Sequence, residues 1–193
     1  MQQGMYHVPV LLEEAIAGLN IVPSGIYVDC TFGGGGHSAA ILQKLDANGK
    51  LIAFDQDADA KENLPADERL IFIPNNFRHL QRFLRLHKIP AVNGILADLG
   101  VSIHQFDVAE RGFSTRYNAT MDMRMNQHEN LDAAKVIGNY SEEQLHNIFE
   151  EYGEVTNAKT LARTIVSLRK SQSLKTINEF KTALYPIVKG NPE

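Results

Sequence analysis

Residues 26–37, Ile-Tyr-Val-Asp-Cys-Thr-Phe-Gly-Gly-Gly-Gly-His, could do chemistry with their backbone as much as with their side chains. A short apolar run ends at Asp29, and four consecutive glycines then lead into a helix-like segment, Ser38 to Leu45. Glycine lacks a Cβ, so the chain can turn sharply and approach a ligand to contact distance. A strand, such a loop and a following helix N-terminus together hold the nucleotide part of a cofactor in many α/β proteins. Three further positions suit the same task. Asp55 closes the next apolar run, about 20 residues beyond the loop, where a carboxylate can accept hydrogen bonds from both ribose hydroxyls. Asp57 is its near competitor, but Asp55 directly follows the apolar residues. Phe77 follows the third run and could stack on an adenine ring or simply open a helix, and Asp98 ends the fourth.

The elements that must position these residues alternate. Strand signals cover Ile26–Cys30, Leu51–Phe54, Leu70–Ile73 and Gly94–Ala97. Helical candidates lie around Pro9–Leu19, Ser38–Leu45, Ala58–Asn63 and Phe77–His87, the last with Leu80, Phe83, Leu84 and His87 at helical spacing. This alternation predicts an α/β fold, a parallel sheet with helices on both faces. Residues 99–130 are rich in Gly, Ser, Asp, Arg and Met without a sustained period and read as long loops. From about Leu131 the chain reads as helical. Ser141-Glu-Glu-Gln144 and Thr176-Ile-Asn-Glu179 fit capping boxes. Ala158, Leu161, Ile165 and Leu168 form an apolar arc opposite Lys159, Arg163 and Lys170. The expected organisation is a domain over 1–130 and an all-helical subdomain over 131–193.

Bulk properties narrow the class. A net charge of −4 argues against a generally basic nucleic-acid binder. The average hides a split: residues 129–154 carry seven acids against Lys135, and residues 157–189 carry seven bases against Glu179. The second stretch, with Arg163, Arg169, Lys170 and Lys175, could guide phosphates or be a solvated helix face. Cys30 stands alone, which excludes a disulfide framework and fits a small core residue in a reducing cytoplasm. The seven His show no ligand spacing, so no metal is expected. No apolar run is long enough for a membrane span, and the first residues lack a signal-peptide pattern. The expected location is cytoplasmic, with no membrane partner.

Spacing alone leaves the cofactor open. Gly34-x-Gly36-x-x-Ala39 formally satisfies a dinucleotide fingerprint, which would imply NAD. Five motifs in order point elsewhere: His7-Val-Pro-Val-Leu-Leu-Glu-Glu14, Asp29-Cys-Thr-Phe-Gly-Gly-Gly-Gly-His37, Ala97-Asp-Leu-Gly-Val-Ser102, Glu110-Arg-Gly-Phe-Ser114 and Met121-Asp-Met-Arg-Met125. With Tyr152-Gly-Glu154 and Ala162-Arg163, they closely resemble the bacterial 16S ribosomal RNA cytosine-N4 methyltransferase family, called RsmH or MraW, from about Tyr6 to Lys189.

The resemblance implies a Rossmann-like methyltransferase sheet with a helical insert for RNA recognition. It also implies S-adenosyl-L-methionine as cofactor and 16S rRNA of the small ribosomal subunit as partner. Carried over residue by residue, Gly35, Gly36 and His37 match the loop at the methionine end and ribose. Asp55 matches the ribose acid, Phe77 the adenine side, and Asp98 and Gln105 the contacts at and beyond strand four. Ser102-Ile-His-Gln105 departs from the family's Ser-Ser-Pro-Gln, and Ser114-Thr115 replaces its Ser-Phe. The implied reaction is methyl transfer to the exocyclic N4 of cytidine, a poor nucleophile because its lone pair is delocalised into the ring. Positioning and acceptance of its N–H bonds should therefore carry catalysis, with the base out of its stack. The catalytic residue stays unknown; Asp107, Asp122 and Arg124 are candidates, each also a plausible loop contact.

The family continues past the helical insert with further strands and a Ser-Phe-His-Ser-Leu-Glu-Asp-like motif that this sequence does not carry. The chain therefore reads as a truncated N-terminal part, expected to keep the cofactor half-site with weak or absent turnover. Strand four would be an open edge, inviting self-association into a homodimer. The alternatives are a non-catalytic RNA-binding or ribosome-assembly module and an NAD-binding α/β protein.

Overall fold

Four short apolar runs become four parallel strands: β1 (Ile26–Asp29), β2 (Lys50–Phe54), β3 (Leu70–Ile73) and β4 (Gly94–Leu96). They lie in the order β3-β2-β1-β4 in a computed structural model that describes residues 9–188. His7 and Lys189, used in the sequence reading, fall outside the described residues. Asp29 stands opposite Ala53 on one side and Leu96 on the other. Because β1 is flanked by β2 and β4, the chain reverses its direction of travel across the sheet beside β1. The carboxyl ends of β1 and β4 thus face the crevice where open α/β sheets bind ligands.

The strands form because both of their faces are covered, which is why they read as continuous apolar runs rather than alternating ones. Tyr27 and Leu51 pack with Ile16 of α1 (Leu12–Gly18) and with Ile41 and Leu42 of α2 (Gly36–Lys44). Val28 and Ile52, one residue on, point to the opposite face and join Phe54, Ile73 and Ile89. Leu80, Phe83 and Leu84 of α3 (Leu80–Leu86) pack against that second cluster, with the rings of Phe83 and Phe54 edge to face at 5.8 Å. Truncating Ile52, which is fully buried, to Ala would cost about 3 kcal/mol. The parallel sheet and its flanking helices form a Rossmann-like α/β arrangement.

Local chemistry reshapes three expected helices. Residues Ala58–Asn63 form a 3₁₀ helix, capped by Asp57 through the amide of Asp59. Pro65 then holds Leu64 extended and stops it. Phe77–His87 divides into a 3₁₀ turn, Phe77–His79, and α3, because the Asn76 side chain accepts from the Arg78 amide and sets a tight start. The first helix begins only at Leu12, after Leu11 adopts a left-handed conformation at φ 52°.

The chain divides into two compact units, Met1–Gly100 and Val101–Glu193. The second holds α4 (Ile103–Asp107), α5 (Ala133–Asn139), α6 (Glu142–Glu151), α7 (Ala158–Leu168) and α8 (Ile177–Val188). It begins well before Leu131, because the loops are tied to the helices. Thr120 bridges Thr176 in antiparallel fashion, and the Met121 amide donates to the Lys175 carbonyl at 2.9 Å. Met121 is thereby buried among Ile137, Leu145, Ala162, Ile165 and Leu184. Both expected caps form: Ser141 with Gln144, and Thr176 with Glu179. Among the described residues, no helix is long and apolar enough to cross a membrane.

Candidate functional site

The glycine loop leaves β1 and is pinned residue by residue. The Cys30 amide donates to the Leu96 carbonyl of β4, and the Phe32 amide to the Phe54 carbonyl of β2. The Gly33 amide donates to Oδ2 of Asp55 at 2.7 Å, and the Asn63 side-chain amide to the Gly33 carbonyl at 3.1 Å. Gly33 and Gly35 have φ of 50° and 77°, which favours glycine at both. A Cβ on Gly35 would meet the buried Phe32 ring at 3.0 Å, whereas one on Gly34 would meet nothing within 4 Å. One glycine serves the fold, and its neighbour borders open space.

Asp55 sits directly after β2, and its carboxylate accepts the Gly33 amide on Oδ2 and the Asp57 amide on Oδ1 at 2.8 Å, with the Gln56 amide also bonded to it. The carboxylate as a whole keeps acceptor capacity beyond these bonds. Burial pushes its pKa up, and the amide bonds only partly offset the shift. His37, in the first turn of α2, is 6% exposed, and its Nδ1 lies 4.0 Å from Oδ2 of Asp98. Its Nε2 is buried and has no hydrogen-bond partner among the described residues. The fold thus brings the loop, His37, Asp55 and Asp98 to the carboxyl end of the sheet, with Phe77, exposed, in the turn after β3.

The profile of the MraW methylase family matches residues 4–191. This chain belongs to that family. It is 58% identical over 179 residues to the ribosomal RNA small subunit methyltransferase H of Flavobacterium johnsoniae, a match covering 93% of this chain and 59% of the relative. The proteins of that name from Christiangramia forsetii and Bacteroides thetaiotaomicron are 55% and 53% identical, covering 95% and 94% of this chain and 61% and 60% of their own. The chain therefore spans about three-fifths of the length of these relatives. A methylase family implies a methyl donor.

In this MraW-family chain, Gln105 lies in the second unit. It is buried in α4, where its Oε1 accepts the Ser102 amide and the Ser102 Oγ accepts the Gln105 amide, both at 3.1 Å. Of the catalytic candidates, Asp122 and Arg124 hold each other in a two-bond pair at 2.9 and 2.6 Å. Arg124 also donates to the carbonyls of Gln127 and Glu129, so the pair braces its own loop. Asp107 pairs with Arg116 at 3.0 Å on an exposed surface. In the basic stretch, Arg169 donates to the carbonyls of Ile137 and Tyr140, closing the end of α5, while Lys159, Arg163 and Lys170 are exposed.

Sequence reasoning passed over Asp29, Thr31 and Ser38. Asp29 is fully buried and accepts the Thr31 amide on Oδ1 at 3.0 Å and the Ser38 hydroxyl on Oδ2 at 2.7 Å. Burial raises its pKa, and its hydrogen bonds from Ser38 and Thr31 pull the other way. The signal was an acid ending an apolar strand with hydroxyl residues two and nine positions on, readable as a loop clamp once the turn is known.

Proposed function

We propose that this chain supplies the S-adenosylmethionine half-site of an enzyme that methylates the exocyclic N4 of a cytidine in 16S rRNA of the small ribosomal subunit. The observation that carries the reading is the Gly33–Asp55 hydrogen bond, which ties a glycine loop to an acid on the neighbouring strand tip. The residues present fit an adenosyl group. Open space borders Gly34, a buried ring nitrogen of His37 lacks a partner, and Asp55 retains acceptor capacity.

When bound, the cofactor supplies an activated methyl group on a positively charged sulfur. The chain's own residues bind and orient. Asp55 accepts the ribose hydroxyls, and the first amides of α2, which lack intrahelical acceptors, face the polar methionine end. Phe77 lies against the adenine, and Asp98 places a carboxylate beside His37. The names of the relatives support the ribosomal RNA substrate, and the family resemblance supports the cytidine N4.

Isothermal titration with S-adenosylmethionine, S-adenosylhomocysteine and NAD tests the cofactor. Binding of both adenosyl compounds without NAD is expected. Tighter binding of NAD, or no binding of either adenosyl compound, would overturn the reading.

A further inference from the structure

Thr31 joins three segments of the first unit. Its amide donates to Oδ1 of Asp29 at 3.0 Å, and its Oγ1 accepts the amide of Asp98 at 2.8 Å. The second bond spans 67 residues of sequence. The main chain on either side of Thr31 is already held, by Leu96 through the Cys30 amide and by Phe54 through the Phe32 amide. With Asp29 fully buried and bonded to Ser38, the Thr31 backbone has little freedom, and its hydroxyl is a fixed acceptor.

Asp98 is placed differently. It lies beyond the end of β4, the last strand on its side of the sheet, and its side chain is 54% exposed. The neighbouring Ala97, Leu99 and Gly100 are exposed as well. Strand pairing therefore does not hold the Asp98 backbone, and the Thr31 hydroxyl does.

We propose that Thr31 is a positioning residue acting through Asp98. Its hydroxyl fixes the tip of β4, so that the Asp98 carboxylate is presented beside His37 on the ligand side of the glycine loop. The inference rests on the adenosylmethionine reading of that loop and deepens it. A carboxylate attracts a cationic ligand best when it is already held in place, because binding then bears no ordering cost. Thr31→Val keeps the side-chain shape and removes the acceptor; Thr31→Ser keeps the hydroxyl.

The test titrates S-adenosylmethionine and S-adenosylhomocysteine into the parent chain and four variants: Thr31→Val, Thr31→Ser, Asp98→Ala and the Thr31→Val/Asp98→Ala double variant. Thr31→Val should weaken S-adenosylmethionine about fivefold, the worth of one ordinary hydrogen bond, and S-adenosylhomocysteine, whose sulfur is uncharged, by less. Thr31→Ser should restore most of that loss. The double variant should bind no more weakly than Asp98→Ala alone, because the two residues act as one unit. In the ligand-free chain, amide hydrogen exchange at Asp98 should accelerate in Thr31→Val and stay slow in Thr31→Ser, which tests the coupling without any ligand. Parent-like affinity of Thr31→Val, additive losses in the double variant, or unchanged exchange at Asp98 would each overturn the proposal. A parent chain that binds neither compound would overturn the cofactor reading and the ligand role of Thr31 with it; the exchange result would still decide whether Thr31 holds Asp98.

Discussion

The amide of Gly33 donates to Oδ2 of Asp55 at 2.7 Å, joining the glycine loop after β1 to the tip of β2. One acid thus shapes the loop and remains able to accept from a ligand. Asp55→Ala removes both functions and leaves the amides of Gly33 and Asp57 without their acceptor. Calorimetry with S-adenosylhomocysteine should show affinity falling on the order of 100-fold, and denaturant unfolding a loss of about 1–3 kcal/mol. Unchanged affinity would remove Asp55 from the site.

Adjacent glycines should separate fold from ligand. Gly34→Ala adds a methyl into open space at an ordinary φ, so its unfolding midpoint should match the parent's while adenosyl binding weakens. Gly35→Ala sets a Cβ at φ 77° against the Phe32 ring and should lose about 1–2 kcal/mol of stability. Equal destabilisation by the two substitutions would show that the loop is ordered for packing alone.

The buried Asp29 carboxyl gives a pH signature. Its pKa is raised above 3.8, chiefly by burial, so between 3.8 and the raised value the native chain binds more protons than the unfolded one. Its contribution to stability is complete below 3.8 and is lost as pH rises through the raised value. Asp29→Asn can keep one bond to Thr31 and one to Ser38 but does not ionise, so its stability should gain on the parent's as pH increases from 3.8. Denaturant titrations across that range measure this, and a gap that is flat or widens against the variant would contradict it.

The basic stretch should divide by role. Arg169 closes α5 through two carbonyls, so Arg169→Gln should cost about 1–2 kcal/mol of stability. Its effect on the salt dependence of RNA binding should be small. Arg163 and Lys170 are exposed, and Arg163→Glu/Lys170→Glu should weaken binding to 16S rRNA and flatten its dependence on salt. An unchanged salt slope in that double variant would make this face a solvated surface only.

Much of this was legible in the chain because it depends on local pattern. The continuous apolar runs from Ile26, Leu51, Leu70 and Gly94 mark strands covered on both faces, and the four glycines and Asp55 fall at strand ends by position alone. Helix type and extent were less legible. The side chains of Asp57 and Asn76 compete for the first amides and tighten those turns, an effect periodicity does not register.

What the sequence by itself determined is which segments become strands and helices, since apolar spacing and turn residues act within a few positions. Only the tertiary structure decided which polar groups meet. Asp98 reaches Thr31 because β4 registers beside β1, and Arg169 reaches Ile137 because α5 ends within its span. The physical reason is that a buried or strand-tip hydrogen bond needs both partners in place at once, and sheet register and helix packing set that coincidence between residues far apart in the chain.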